Sequence, residues 1–184
     1  LQLLVEESQF SCQACVFNGC SGLGCQGHQQ VYIMFIELAL IDAVARQFSD
    51  ELIKNISEIV PLSRIDYVIA NHIETDHSGA LPEIMKLCPN AQEFGTQKCK
   101  EGLQKHYYGN WNFKVVKTND NLSLGARTLS FIEAPMIHWP DSMFTYCPQE
   151  ELLLPNDAFG QHLASSARFD DEIDQCVLMD EAAK

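Results

Sequence analysis

In the stretch Asn71-His72-Ile73-Glu74-Thr75-Asp76-His77, two imidazoles and two carboxylates fall within six consecutive positions. Imidazole nitrogens and carboxylate oxygens are ligands for divalent transition metals. Four such groups this close together would repel or stay poorly solvated if buried without a cation. His72, Glu74 and Asp76 alternate, so an extended segment would present them on one side. His77 can face the same centre only if the backbone turns, and Gly79 makes such a turn cheap. His138 lies in Ala134-Pro135-Met136-Ile137-His138-Trp139-Pro140, where the two prolines stiffen a loop that must deliver one imidazole in register. Asp157 follows Leu152-Leu153-Leu154-Pro155-Asn156, again just past an apolar run, and Asn156-Asp157 also reads as a helix start. His72, His77 and His138 with Glu74, Asp76 and Asp157 are too many ligands for one tetrahedral structural zinc. They suit two adjacent metals with one carboxylate bridging. The absence of thiolates from the set disfavours copper(I) and iron–sulfur chemistry, and ligand type alone leaves iron, manganese and zinc open. No catalytic side chain beyond the metal ligands is expected.

Core strands must hold these residues still. Ile65–Ala70 reads as a buried strand that ends where the metal-binding stretch begins. Upstream, Val31–Ile36 and Ala39–Val44 read as strands around a short turn. Ser49 is the expected N-cap of a helix whose stripe is Leu52, Ile53, Ile56, Ile59 and Val60, stopped by Pro61. Helices are expected over Leu81–Leu87, with Pro82 in its first turn, and over Gln97–Tyr107. Strands recur at Phe113–Lys117, Thr128–Glu133, Met143–Tyr146 and Glu151–Pro155. The alternation predicts an α/β domain with mixed or largely antiparallel sheets. The acidic run Asp170, Asp171, Glu172 and Asp174 reads as a solvated helix start or exposed linker.

With 184 residues, 46% of them hydrophobic, the chain has material for one core, or for one domain plus an appendage. A net charge of −13 argues against nucleic acid, whose phosphates need Lys/Arg stripes. The most apolar stretch, Val31 to Val44, is interrupted by Glu37 and Asp42 and is too short to span a bilayer. No signal peptide is evident, and a cytoplasmic location is expected. Residues 1–30 differ from the rest. Cys12, Cys15, Cys20 and Cys25 sit among glycines without helical or strand periodicity. A zinc or iron–sulfur centre or a disulfide staple is conceivable there, but a loosely ordered or non-native leader is the preferred reading. Cys88, Cys99, Cys147 and Cys176 read as small buried hydrophobes rather than bridges.

The word His72-x-Glu74-x-Asp76-His77, with Gly79-Ala80-Leu81-Pro82 behind it, resembles the metal motif of the metallo-β-lactamase-like domain in flavodiiron proteins. His138-Trp139-Pro140-Asp141-Ser142-Met143 and Asn156-Asp157-Ala158-Phe159-Gly160-Gln161-His162 match that family in wording and spacing. The resemblance covers about residues 39–175. It implies a partial αββα sandwich of the metallo-β-lactamase type over residues 31–184, with residues 1–30 as a Cys/Gly-rich leader. It also implies two irons: His72, Glu74 and His138 on one, Asp76 and His77 on the other, and Asp157 between them. Hydrolytic relatives with this fold usually carry His where this chain has Glu74, so the resemblance favours redox chemistry over hydrolysis. The implied activity is reduction of dioxygen to water, nitric oxide to nitrous oxide, or both. Its electrons would come from FMN in a flavodoxin-like domain, usually the partner subunit's in a head-to-tail homodimer, fed by rubredoxin or another donor. Met136, Trp139 and Phe159 could wall the substrate pocket or serve as core.

The same comparison sets two further expectations. The family's second iron takes another histidine well beyond Asp157, and His162 reads as a surface or supporting residue rather than that ligand. The flavodoxin-like domain lies outside these residues, and the family's opening strands are only faintly matched in residues 1–38. The alternatives are a dizinc hydrolase of the same fold and a catalytically incomplete metal-binding fragment.

Overall fold

The computed structural model describes residues 16–17, 37–159, 163–167 and 169–183. The strand expected at Val31–Ile36, the four leader cysteines and His162 lie outside the described residues.

Two sheets face one another. The first has the order β1 (Val16–Phe17), β2 (Ala39–Ile41), β3 (Tyr67–Ile69), β4 (Gln92–Gly95) and β5 (Phe113–Val115). Strands β2 to β5 run parallel, and β1 pairs antiparallel with β2 through Val16 opposite Leu40. β1 therefore places one strand of the sheet inside the segment whose sequence has no strand period. The second sheet is an antiparallel meander of β6 (Asn121–Ser123), β7 (Thr128–Glu133), β8 (Met143–Cys147) and β9 (Leu152–Leu154).

The period-2 alternation of side chains divides each strand between two cores. Ala39, Ile41, Ile69 and Phe94 enter the space between the sheets and meet Leu129, Phe131, Met143 and Leu154 there. Phe94 stacks on Phe131 across that space, with ring centroids 5.9 Å apart. Leu40 and Val68 point the other way, under α1 (Ser49–Ser57), α3 (Leu81–Leu87) and α4 (Gln97–Tyr107), which contribute Leu52, Ile56, Ile84 and Leu103. Helix layer, parallel sheet and antiparallel sheet form the expected α/β sandwich. The last helix, α5 (Gln175–Ala182), contributes to neither core; Asp174 caps it by accepting from the Cys176 and Val177 amides, as the solvated helix-start reading of that acidic run anticipates.

Several local expectations need correction. Ser49 is the first residue of α1 rather than its cap; a 3-10 turn over Arg46–Phe48 precedes it, and its Oγ donates to the Arg46 carbonyl. Ile59 lies beyond the helix end and is exposed. The strand expected at 39–44 stops at Ile41, after which the Asp42 side chain accepts from the Asn71 amide, and the run 65–70 is strand only over Tyr67–Ile69, since Ile65 closes the 3-10 turn over Leu62–Arg64. β4 was not anticipated. A parallel strand covered on both faces normally reads as a continuous apolar run, and Gln92-Glu93-Phe94-Gly95 carries a glutamate in its middle. The edge strand β6, only three residues with two of them polar, was equally silent. Cys88, Cys99 and Cys147 are free and buried, whereas Cys176 is exposed. Burial pushes the Cys88 thiol up to about 11 and the Cys99 thiol up as well, which keeps both protonated and unreactive. Among the described residues no helix is long and apolar enough to cross a membrane.

Candidate metal centre

The C-terminal ends of the parallel strands and one end of the meander open onto the same rim. After β3, residues 71–74 run without regular structure, and a single helical turn, α2 (Thr75–Ser78), begins with Glu74 as its N-cap. That turn brings His77 round to the side of His72. Gly79 contributes through its size and not through a special backbone angle. Its φ is −59°, and a Cβ there would meet the Thr75 carbonyl at 2.5 Å and the Arg46 amide at 2.6 Å.

His138 sits on the β7–β8 loop, which is folded on itself by bonds from the Met136 amide to the Trp139 carbonyl and from the Ile137 amide to the Ala134 carbonyl. Met136 (φ 65°) and His138 (φ 86°) take left-handed conformations that non-glycine residues adopt at a cost. Asp157 follows β9 in a turn with a left-handed Asn156 (φ 50°), not in a helix. The Asn156 side chain is bonded on both sides: Oδ1 accepts from the Asp157 amide at 2.7 Å and Nδ2 donates to the Met143 carbonyl at 2.9 Å.

All six expected ligands meet. They form two groups, His72–Glu74–His138–Asp157 and Asp76–His77–Asp157, in each of which the ligand atoms lie within 4.8 Å of one another. Asp157 is common to both. Its Oδ1 is 3.0 Å from His77 Nε2, while Oδ2 is 3.7 Å from His72 Nε2 and 3.5 Å from His138 Nε2. Glu74 Oε2 is 3.3 Å from His72 Nε2 and 3.1 Å from His138 Nε2. Asp76 is the outermost member, with Oδ2 3.8 Å from His77 Nε2.

The other imidazole nitrogens face carboxylates absent from the expected set. His72, fully buried, has Nδ1 3.0 Å from Asp141 Oδ2, and His77 has Nδ1 3.7 Å from Asp42 Oδ2. Each ring is therefore flanked by acceptors at both nitrogens. A neutral imidazole has only one N–H to offer, so the remaining lone pair would face carboxylate oxygen unless a cation stands between them. Either a proton or a metal ion satisfies that demand, and the converging nitrogen and oxygen donors fit a metal ion.

The protonation energetics reflect this crowding. Burial alone would lower the His72 imidazolium, but Asp141 and then Glu74 outweigh it and hold its pKa above the ordinary value. Burial likewise opposes His77, yet Asp42 and Asp157 lift it to about 9. Bonding to His138 holds the Glu74 carboxyl below its usual range against a smaller effect of burial, with His72 adding to the same end.

Of the three expected wall residues, Trp139 lies 5.2 Å from His72 ring to ring, while Met136 and Phe159 are largely exposed. Neither is core. Asp42 and Asp141 were missed as members of the site. The available signal was position: Asp42 closes the apolar run of β2, and Asp141 is three residues beyond His138.

A family model described as ODP family beta lactamase matches residues 26–180. The chain is 54% identical over 147 residues to a nitric oxide reductase of Moorella thermoacetica, covering 79% of this chain and 37% of that protein. It is 44% identical over 147 residues to an anaerobic nitric oxide reductase flavorubredoxin of Salmonella arizonae, covering 79% of this chain and 31% of that protein. Among solved structures, the flavodiiron protein of Giardia intestinalis matches with a TM-score of 0.71 and 39% identity over 80% of this chain and 36% of that one. The rubredoxin oxygen:oxidoreductase of Desulfovibrio gigas matches with a TM-score of 0.71 and 36% identity, over 79% of this chain and 37% of that one. The chain thus spans about a third of the length of the curated relatives it matches.

Proposed function

The chain belongs to the ODP family of beta-lactamase domains, and from that membership we propose that it is the diiron domain of an enzyme reducing nitric oxide to nitrous oxide, dioxygen to water, or both. In this reading residues 31–184 carry the ligands of the domain, and Val16–Phe17 from residues 1–30 adds an edge strand to its first sheet. His72, Glu74 and His138 would hold one iron and Asp76 and His77 the other, with Asp157 shared between them. The observation that carries the reading is Asp157 itself, whose two oxygens divide between the two ligand groups.

The three ligand carboxylates offset much of the charge of two iron ions, and the protein contributes mainly geometry. Glu74 supplies an oxygen to the group containing His72 and His138 where hydrolytic relatives of the fold usually carry a histidine, and that departure supports iron over zinc. Iron held there would supply the electrons and the binding of a small diatomic substrate. His72 is sealed from solvent, whereas Glu74, Asp76 and His138 lie on the accessible side from which such a substrate would enter. Two molecules of nitric oxide take up two electrons and two protons to give nitrous oxide and water. FMN in a flavodoxin-like domain, belonging to the partner subunit of a head-to-tail homodimer, is the proposed reductant, itself reduced by a rubredoxin-like donor. The names flavorubredoxin and rubredoxin oxygen:oxidoreductase borne by relatives support the flavin and the rubredoxin-like donor in that assignment.

Anaerobic reconstitution with ferrous iron, metal analysis and nitric oxide consumption with a reduced flavodoxin-like partner test it. About two irons per chain and reductant-dependent consumption are expected. A chain that takes up zinc but no iron, and cleaves esters or lactams without a reductant, overturns it in favour of hydrolysis.

A further inference from the structure

The two loops that deliver the ligands of the first metal come from different sheets, and one buried carboxylate joins them. Asp141 is 2% exposed and lies on the β7–β8 loop, three residues after His138. Its Oδ2 accepts from the Ile73 amide at 2.9 Å and lies 3.0 Å from His72 Nδ1, so it grips the β3 loop at both backbone and side chain. Its own carbonyl accepts from Thr96 Oγ1 at 3.0 Å. Thr96 is the N-cap of α4 and takes the Cys99 amide at 3.1 Å, which anchors Asp141 to a helix as well as to the loop.

We propose that Asp141 is a positioning residue for the first metal: it holds His72 with Nδ1 protonated and Nε2 free to coordinate, and it sets the separation between His72 and His138. This rests on the binuclear reading above. A carboxylate that accepts from Nδ1–H selects that tautomer and makes Nε2 a better ligand. Because the same carboxylate is covalently part of the His138 loop, His72 and His138 cannot move independently. Glu74 Oε2, 3.3 Å and 3.1 Å from their Nε2 atoms, sits in the gap so defined. The second group depends on a different carboxylate, Asp42, behind His77. Disturbing Asp141 should therefore weaken one metal and spare the other.

The test is titration of the full 184-residue chain with Co(II), read by visible absorption, in native, Asp141→Asn, Asp141→Ala and Asp170→Asn forms. The native chain should take up Co(II) in two steps, the tighter one at the four-ligand group, as shown by its loss in His138→Ala. Asp141→Asn should weaken that step by about 10–100-fold, leaving the second within about threefold. Asp141→Ala should weaken it at least as much. Asp170→Asn, an exposed carboxylate of equal charge, should change neither step. In the Zn(II)-loaded native chain, nitrogen-correlated NMR should find the His72 proton on Nδ1, a readout that needs no variant to fold. Zinc bound through Nδ1, unchanged Co(II) binding in Asp141→Asn, or equal weakening of both steps overturns the proposal. A native chain that binds no metal removes the binuclear reading itself, and the proposal with it.

Discussion

Asn71 Nδ2 donates to the Leu154 carbonyl at 3.1 Å, joining residues 83 positions apart where the two sheets meet. The same fully buried side chain accepts from Thr145 Oγ1 at 2.7 Å, and its backbone amide donates to Asp42 Oδ1 at 2.7 Å. Its carbonyl accepts from the Met143 amide. One asparagine thus locks β2, β3, β8 and β9 in register, immediately before the first histidine of the candidate metal centre. Asn71→Ala should cost about 2–4 kcal/mol, since it strips partners from buried groups on both sheets. Urea unfolding of the metal-free chain measures this; a loss under about 0.5 kcal/mol would mean the sheets hold their register without Asn71.

Asp157 and His138 should differ in how many metals they control. Asp157→Ala should abolish uptake at both groups, because each includes an Asp157 oxygen. His138→Ala should spare the Asp76–His77 group. Metal-to-protein ratios after anaerobic loading and desalting separate the two outcomes. Loading the native chain should also raise its stability by about 3 kcal/mol for each metal bound at a free concentration of roughly 100 times its Kd, visible as a higher melting temperature.

Glu93 makes stability pH-dependent. It is fully buried on β4 beneath α4, among Lys100, Leu103, Gln104, Trp111 and Phe113, and neither carboxylate oxygen has a hydrogen-bond partner among the described residues. Burial raises its pKa from 4.5 to about 8. The folded value exceeds the unfolded one, so the contribution is complete below pH 4.5 and lost as pH rises to about 8. The slope should approach about 1.4 kcal/mol per pH unit and vanish in Glu93→Gln. His77, raised from 6.5 to about 9, adds a loss of its own over that higher range. Denaturation of metal-free chains between pH 5 and 6.5 therefore isolates Glu93. Parallel pH profiles for the two proteins would refute its assignment.

Two glycine substitutions should fail for different reasons. Gly79→Ala drives a methyl into backbone atoms of Thr75 and Arg46, at 2.5 Å and 2.6 Å, and should cost about 1–3 kcal/mol while displacing the turn that carries Asp76 and His77. Gly125→Ala meets nothing within 4 Å but has φ +86°, and should cost about 1–2 kcal/mol without touching metal uptake. Melting curves and metal loading of both variants distinguish steric from conformational cost.

Much of the site was legible in the chain. Ligand identity is a property of residue type, and the apolar runs before Asn71 and Asp157 mark strand ends, where loops are held by a rigid scaffold. Helix α4 was readable for the same local reason, with Thr96 bonding its first turn and Leu103 on its buried face. β4 was not readable, because Glu93 interrupts its apolar pattern and its burial comes from β3, β5 and α4 rather than from its own residues.

By itself, the sequence determined which atoms can bind metal and roughly where the strands deliver them. Only the tertiary structure decided the rest. It turned His77 inward through one turn of helix, placed Asp157 between the two groups, and set Asp42 and Asp141 behind the imidazoles. Those contacts join residues 35 to 85 positions apart (42 to 77, 72 to 141, 72 to 157). Spacing along a chain encodes local periodicity, whereas partners across two sheets are selected by packing of the whole core.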